Sequence, residues 1–254
     1  MLALVDGDVF AYRCGFAAEK EGQDEATCLM LLSSLLEKIT YSELDADSVV
    51  GYLTGSGNFR NSIATTAPYK GQRKGIKPAY YSLIREYLSI AWGFKTVNDI
   101  EADDAVAIHA SKLDVPFYVV AVDKDFKQLG GMWHYNWVKK EQFYITEWEG
   151  VYNLYKQVLM GDVVDNIIGV KGIGDKKSDK IFAECETETD LFNACVDTFK
   201  GSEERVVENL QLLYLQRSDG DIWHKGKLDE STVSKSKREE TPTISKRFDF
   251  DDVL

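Results

Sequence analysis

Apolar positions along the chain fall into short continuous runs separated by stretches of helical spacing. Leu2 to Val5 is uninterruptedly apolar, as in a strand covered on both faces, and it ends at Asp6-Gly7-Asp8, which reads as a loop. Ser48 to Leu53 is a second strand candidate, and Pro116 to Val122 a third, closed by Asp123-Lys124-Asp125. Between them, residues 26–39 and 79–92 repeat apolar side chains at helical spacing. Glu101 to Leu113 is a further helix with acidic residues in its first turn, where the macrodipole favours them. Beyond residue 150 the pattern is helical, broken by a Gly-rich stretch at 169–174. Strands alternating with helices predict an α/β fold with a mainly parallel central sheet flanked by helices. Ligands in such folds bind beyond the carboxyl ends of the strands, where Asp6, Asp123 and Asp125 fall. The expected division is a core over 1–150, a helical region over 151–224 and a polar surface tail over 225–254.

Charge sharpens this picture. The 254 residues carry 30 basic and 42 acidic side chains, a formal net charge of −12. Such a balance opposes binding to a polyanion unless clustered carboxylates are offset by cations, so the distribution of charge matters more than its sum. From Thr54 to Arg85 there is no Asp or Glu, while Arg60, Lys70, Arg73, Lys74, Lys77 and Arg85 alternate with Tyr69, Tyr80 and Tyr81. Cations there can neutralise phosphates, and the rings can stack on unpaired bases. Cys14, Cys28, Cys185 and Cys195 form no CxxC pair, consistent with a reduced cytoplasmic chain. No apolar run approaches the roughly 20 residues of a membrane span, and the N-terminus lacks the basic region of a signal peptide.

Two further constellations carry chemistry. Asp6, then Glu101, Asp103 and Asp104, then Asp123 and Asp125, then Asp162 and Asp165 lie at strand ends or helix starts, the last two sharing a face if their turn is helical. Converging carboxylates repel unless cations join them, and hard oxygen donors suit Mg²⁺ or Mn²⁺. Taken singly, an Asp reads first as a helix cap, a turn former or a solvated charge; Asp8 reads as a turn or cap residue. Gly169-Val170-Lys171-Gly172-Ile173-Gly174, followed by Lys176 and Lys177, combines close backbone approach with a helix start, a site for an anion or a plain helix connection.

In this order, VDGDVFAYR, PYKGQRK, IEADDAVA, VDKDFKQL and MGDVVDNIIGVKGIGDKK resemble the motifs of the 5′-nuclease family, which includes phage 5′→3′ exonucleases, the 5′-nuclease domain of bacterial DNA polymerase I, and flap endonucleases. The resemblance spans Asp6 to about Ile181. It implies a helical arch within about 54–90, a helix-hairpin-helix at 169–177, and two or more Mg²⁺ or Mn²⁺ ions held by Asp6, Glu101, Asp103, Asp104, Asp123, Asp125, Asp162 and Asp165. It further implies Lys70 and Arg73 at the scissile phosphate. Arg13, Tyr69, Lys74, Lys77, Lys171, Gly172, Gly174, Lys176 and Lys177 would meet DNA, with K⁺ at the hairpin. The implied partners are 5′ ends and 5′ flaps of DNA, RNA–DNA hybrids, and a replication protein met by the tail at Phe248 to Leu254, for a monomer in the cytoplasm, that of the host if phage-encoded. One departure stands out: the family commonly has an Asp at the end of the second strand, where this chain reads Leu53-Thr54-Gly55. That gap supports a rival reading, a DNA-binding scaffold with weakened catalysis. A haloacid-dehalogenase-type phosphatase would use Asp6, Asp8 and Thr54 but leaves EADD, VDKD and the Gly-rich hairpin without a role.

Overall fold

The computed structural model describes residues 1–73, 75–237 and 241–243. Its main sheet contains β1 (Leu2–Asp6), β2 (Ser48–Thr54), β3 (Lys95–Val97), β4 (Phe117–Val120), β5 (Met132–Asn136) and β6 (Glu141–Ile145), in the spatial order β3-β2-β1-β4-β5-β6. The first five are parallel, with Leu4 of β1 opposite Val50 on one side and Val119 on the other. Only β6 runs antiparallel, as a hairpin on β5. Ala3, Leu4 and Val5 are fully buried, which explains why the central strand is a continuous apolar run rather than an alternating one. Ala3 and Val5 face one apolar cluster with Phe10, Leu32, Leu53 and Leu88; Leu4 faces another with Val106, Val119 and Phe126.

Asp6-Gly7-Asp8 is not a loop. Helix α1 (Gly7–Glu21) starts immediately after β1, with Asp6 as its cap accepting the Asp8 amide at 3.0 Å. Glycine is required at position 7 by packing: a Cβ there would lie 2.7 Å from the Tyr52 carbonyl oxygen and 2.8 Å from the Leu53 and Phe94 side chains. Helix α2 (Glu25–Glu37) continues into a π-helical turn at Lys38–Glu43. The chain leaves β2 through a four-residue helix, α3 (Arg60–Ile63), and turns, then re-enters helix at α4 (Tyr81–Ala91). Helix α5 (Ala102–Ala110) leads to β4, and a 3₁₀ turn, Lys124–Gln128, leads from there towards β5.

The C-terminal part is a helical unit: α6 (Glu147–Met160), α7 (Asp175–Ile181), α8 (Glu188–Thr198) and α9 (Glu203–Leu213), packed around Tyr155, Leu159, Phe192, Leu210 and Trp223. Capping boxes at Thr146/Glu149 and Thr187/Asp190 start α6 and α8, each cap contributing about 1 kcal/mol. A two-stranded hairpin, β7 (Gly161–Asp162) and β8 (Ile167–Ile168), sits between α6 and α7. Asp162 and Asp165 therefore share a tight turn, not a helical face. The start of the tail folds back as a short helix, α10 (Lys227–Glu230), and Ser234 bridges to Thr187.

Candidate active site

The acidic residues are placed by local rules. Asp6 ends β1, Glu101 caps α5, and Asp103 occupies the first turn of that helix. Asp123 caps the 3₁₀ turn that carries Asp125, accepting the Asp125 amide at 3.0 Å. Asp162 accepts the amides of Val164 at 2.7 Å and Asp165 at 3.1 Å, which pins the β7–β8 turn. These elements meet at the carboxyl edge of the sheet, beneath residues 60–73 and beside the helical unit.

Their electrostatics follow from that crowding. Burial, reinforced by Asp8, Asp123 and Glu101, pushes the Asp6 carboxyl up to about 8. Burial, with Asp123 and Asp162, pushes Asp125 up to about 7. Asp103 lies well above the usual carboxylate range through burial and the neighbouring Asp104 and Glu101. Burial acts on Glu101 too, but Lys70 and Arg60 outweigh it and hold this carboxyl below its ordinary value. Among the described residues no three His, Cys, Asp or Glu side chains are drawn into a metal-ligating array. Glu101, Asp104, Asp162 and Asp165 instead face lysine or arginine.

Lys70 pairs with Glu101 and lies 3.7 Å from Asp165, and Arg73 pairs with Asp165 at 2.6 Å. The Lys70 amide also donates to the Asp165 carbonyl at 2.8 Å, holding Lys70 at a φ of 54°, a conformation uncommon for a side-chain-bearing residue. Lys124 pairs with Asp162 at 2.8 Å, and Gln157 donates to Asp125 at 2.8 Å. Thr54, at the position where the resemblance leads one to expect a carboxylate, accepts the Ala102 amide through its hydroxyl at 2.9 Å. Asp8 accepts the Thr54 amide and pairs with Arg85, so it clamps β2 to α1 and α4.

Two of the assigned side chains sit otherwise than expected. Tyr69 is buried, its hydroxyl donating to Glu101 at 2.7 Å and to Asp165 at 2.9 Å, so its ring does not present a face for stacking. Asp104 is completely buried against Arg60. Arg13 lies over Trp137, and Lys77 over Tyr81. Lys171, Gly172, Gly174, Lys176 and Lys177 line the exposed hairpin; Gly172 has a φ of 82°, and Lys177 closes the turn by donating to the Gly172 carbonyl at 2.7 Å. Lys74 and the segment from Phe248 to Leu254 lie outside the described residues.

Sequence reasoning read Arg60 only as one cation of the basic stretch, and passed over Lys124 and Glu208. Lys124 had a visible signal, its place between two assigned aspartates. Glu208, on α9, accepts the amides of Thr65 and Thr66, both at 2.7 Å, and so fastens the segment over the site to the helical unit. Burial disfavours its ionisation, but the Thr66 hydroxyl and the two amides outweigh burial and pull its pKa from 4.5 to about 2. A depressed carboxyl stabilises the fold above its unfolded pKa and loses that contribution as pH falls through the folded one. The melting temperature of Glu208→Gln is therefore expected to lie below that of the unaltered chain at neutral pH, with the gap closing as pH falls from 4.5 towards 2. A gap independent of pH across that window would contradict the assignment.

A mostly parallel sheet with an acidic carboxyl edge, joined to a helical unit with a Gly-rich hairpin, is the architecture of the PIN-like 5′-nuclease fold. The model of the 5′-3′ exonuclease N-terminal, resolvase-like domain matches residues 1–156, and the chain belongs to this family. It is 30% identical over 235 residues to DNA polymerase I of Geobacillus stearothermophilus, covering 83% of this chain but 26% of the polymerase. The chain thus spans about a quarter of the polymerases it matches. A 5′-3′ exonuclease of Mycoplasmopsis pulmonis is 23% identical over 210 residues, covering 77% of this chain and 70% of that protein. Among solved structures, the flap endonuclease of bacteriophage T5, in a pseudo-enzyme–product complex with DNA and metal ions, superposes with a TM-score of 0.64 at 19% identity, covering 84% of this chain and 89% of that one. The 5′-exonuclease of the same phage with zinc bound gives a TM-score of 0.60 at 21% identity, covering 84% and 88%.

Proposed function

We propose that the chain is a metal-dependent, structure-specific 5′ nuclease that hydrolyses DNA phosphodiester bonds and leaves 5′-phosphate ends. The observation that carries this reading is the crowding of buried carboxylates at the sheet's carboxyl edge, directly under Lys70 and Arg73. The donor set fits divalent cations. Asp6, Glu101 and Asp103 form one group of hard oxygen donors, and Asp123, Asp125, Asp162 and Asp165 another, and the upward shifts of Asp6, Asp103 and Asp125 mark negative charge that a bound cation relieves. Mg²⁺ or Mn²⁺ bound there would activate water and offset charge on the reacting phosphoryl group.

The remaining steps belong to the protein. Lys70 and Arg73 donate to the phosphate oxygens and stabilise the charge that develops on them. The exposed hairpin around Gly172 and Gly174, with Lys171 and Lys176, holds a backbone phosphate without reading sequence, which positions the duplex rather than selecting it. The phage T5 flap endonuclease complex with DNA and metal ions supports the substrate class. Removal of 5′ ends or flaps during DNA replication is the matching role, since the polymerase relatives share this segment.

The test is cleavage of a 5′-labelled duplex and of a 5′-flap substrate in Mg²⁺ and in EDTA. The expected result is products in Mg²⁺ alone, and their lengths distinguish exonuclease from flap cutting. Binding without cleavage in Mg²⁺ or Mn²⁺ would favour the second reading, a DNA-binding scaffold, which Thr54 at the end of β2 supports.

A further inference from the structure

The EADD motif presents three carboxylates, and the structure separates one of them from the others. Asp104 has no exposed surface. Its Oδ1 accepts from Arg60 Nη2 at 2.8 Å and from the Gln216 amide at 3.1 Å. Its Oδ2 accepts from Arg60 Nη1 at 2.6 Å and from the Glu101 amide at 3.2 Å. A carboxylate offers about four acceptor sites, so these donors use its whole capacity. Arg60 is equally committed. It is 1% exposed, and beyond Asp104 its Nε donates to the Leu212 carbonyl at 2.8 Å and its Nη2 to the Tyr214 carbonyl at 3.0 Å. Its Nη1 lies 3.6 Å from the Glu101 carboxylate.

We propose that Arg60 and Asp104 are a positioning pair rather than part of the metal-binding set: they lock the base of the segment over the site and the segment after α9 onto Glu101. This rests on the nuclease reading above and deepens it. Three parts of the chain converge on the pair. Arg60 belongs to α3, ten residues before Lys70. Glu101 and Asp104 form the reciprocal cap of α5. Leu212, Tyr214 and Gln216 close the helical unit that carries the DNA-gripping hairpin. A planar guanidinium can satisfy the carboxylate and two carbonyls together because its donors diverge in fixed directions; an ammonium cannot. The pair therefore holds Lys70, Glu101 and the hairpin in one frame, and its loss should slow the chemical step while leaving duplex affinity intact.

The experiment compares the unaltered chain with Arg60→Lys, with Arg60→Met/Asp104→Leu, and with Asp103→Asn. The double variant replaces a buried ion pair by apolar groups of similar volume, an exchange that cores commonly tolerate. Arg60→Lys keeps the charge and loses the fork. Bound Mn²⁺ is counted by electron paramagnetic resonance, folding is followed by melting temperature, and kcat and KM are measured on a labelled duplex. Both pair variants are expected to bind as many Mn²⁺ ions as the unaltered chain, with kcat lowered about 10- to 100-fold and KM unchanged, as for outer supports of a metal centre. Asp103→Asn is expected to bind Mn²⁺ more weakly. Loss of an Mn²⁺ ion from a folded double variant would make Asp104 a ligand and overturn the proposal, as would unaltered kcat in both pair variants. Should the double variant not fold, Arg60→Lys decides between these outcomes. Failure of the unaltered chain to cleave DNA would refute the nuclease reading; the Mn²⁺ counts would still judge Asp104, an unchanged count supporting its exclusion from the metal set and a reduced one overturning it.

Discussion

Asp165→Ala is expected to lower kcat for metal-dependent cleavage more than about 100-fold, or about 2.7 kcal/mol of transition-state stabilisation. Altering a residue that merely supports a metal ligand costs 10- to 100-fold, so removing a ligand should exceed that range. The geometry around Asp165 adds to the effect. Its carboxylate receives Arg73 at 2.6 Å and the Tyr69 hydroxyl at 2.9 Å, and it faces Lys70 at 3.7 Å. Alanine leaves those donors without their shared acceptor, so metal binding and the posture of the basic residues fail together. Duplex binding, which the proposed function assigns to the hairpin at 169–177, should change little. The measurement pairs single-turnover cleavage in Mg²⁺ with duplex affinity in Ca²⁺. Cleavage within tenfold of the unaltered chain would remove Asp165 from the metal set.

Lys70→Ala is the second large effect, expected at about 10²- to 10³-fold in kcat with duplex affinity nearly unchanged. Lys70 is a partly buried cation in contact with Glu101 and near Asp165. Its backbone is fixed in an uncommon left-handed conformation by the bond to the Asp165 carbonyl. Holding a residue there costs on the order of 1 kcal/mol, an outlay consistent with a side chain aimed at one point. A group that acts on the transition state changes kcat, whereas one that merely attracts DNA changes affinity. Equal losses in kcat and in duplex affinity would assign Lys70 to binding alone. Arg73, half-exposed beside it, should show a smaller loss in the same assay.

How far these residues could be read from the chain varies with the physics that places them. β1 and β4 were legible because strands buried on both faces are uniformly apolar. β5 and β6 were not, because His134 separates Trp133 from Tyr135 in β5 and only Phe143 to Ile145 of β6 are apolar, so neither gives a clear run. α1 was hidden because Asp-Gly-Asp is turn chemistry in isolation; it becomes a helix start only when Asp6 caps it and Gly7 meets Tyr52 and Leu53. For Asp162 and Asp165 the i, i+3 spacing gave a shared face only if their turn were helical, and the turn is that of the β7–β8 hairpin.

The order of five motifs along the chain was sufficient to point to the family, and the carboxylates they contain were legible as candidates because each is placed by local rules: a strand end, a helix cap or a turn. Division of labour among them was decided in three dimensions. Nothing local distinguishes Asp103 from Asp104, adjacent residues in one helical turn. Of the two, Asp104 alone is held by Arg60, which lies 44 residues earlier, and by the Gln216 amide, 112 residues later, the contacts on which its proposed exclusion from the metal set rests. A buried guanidinium is costly unless every donor finds an acceptor. For Arg60 those acceptors come from segments that only the finished fold brings together, Leu212 lying 152 residues away.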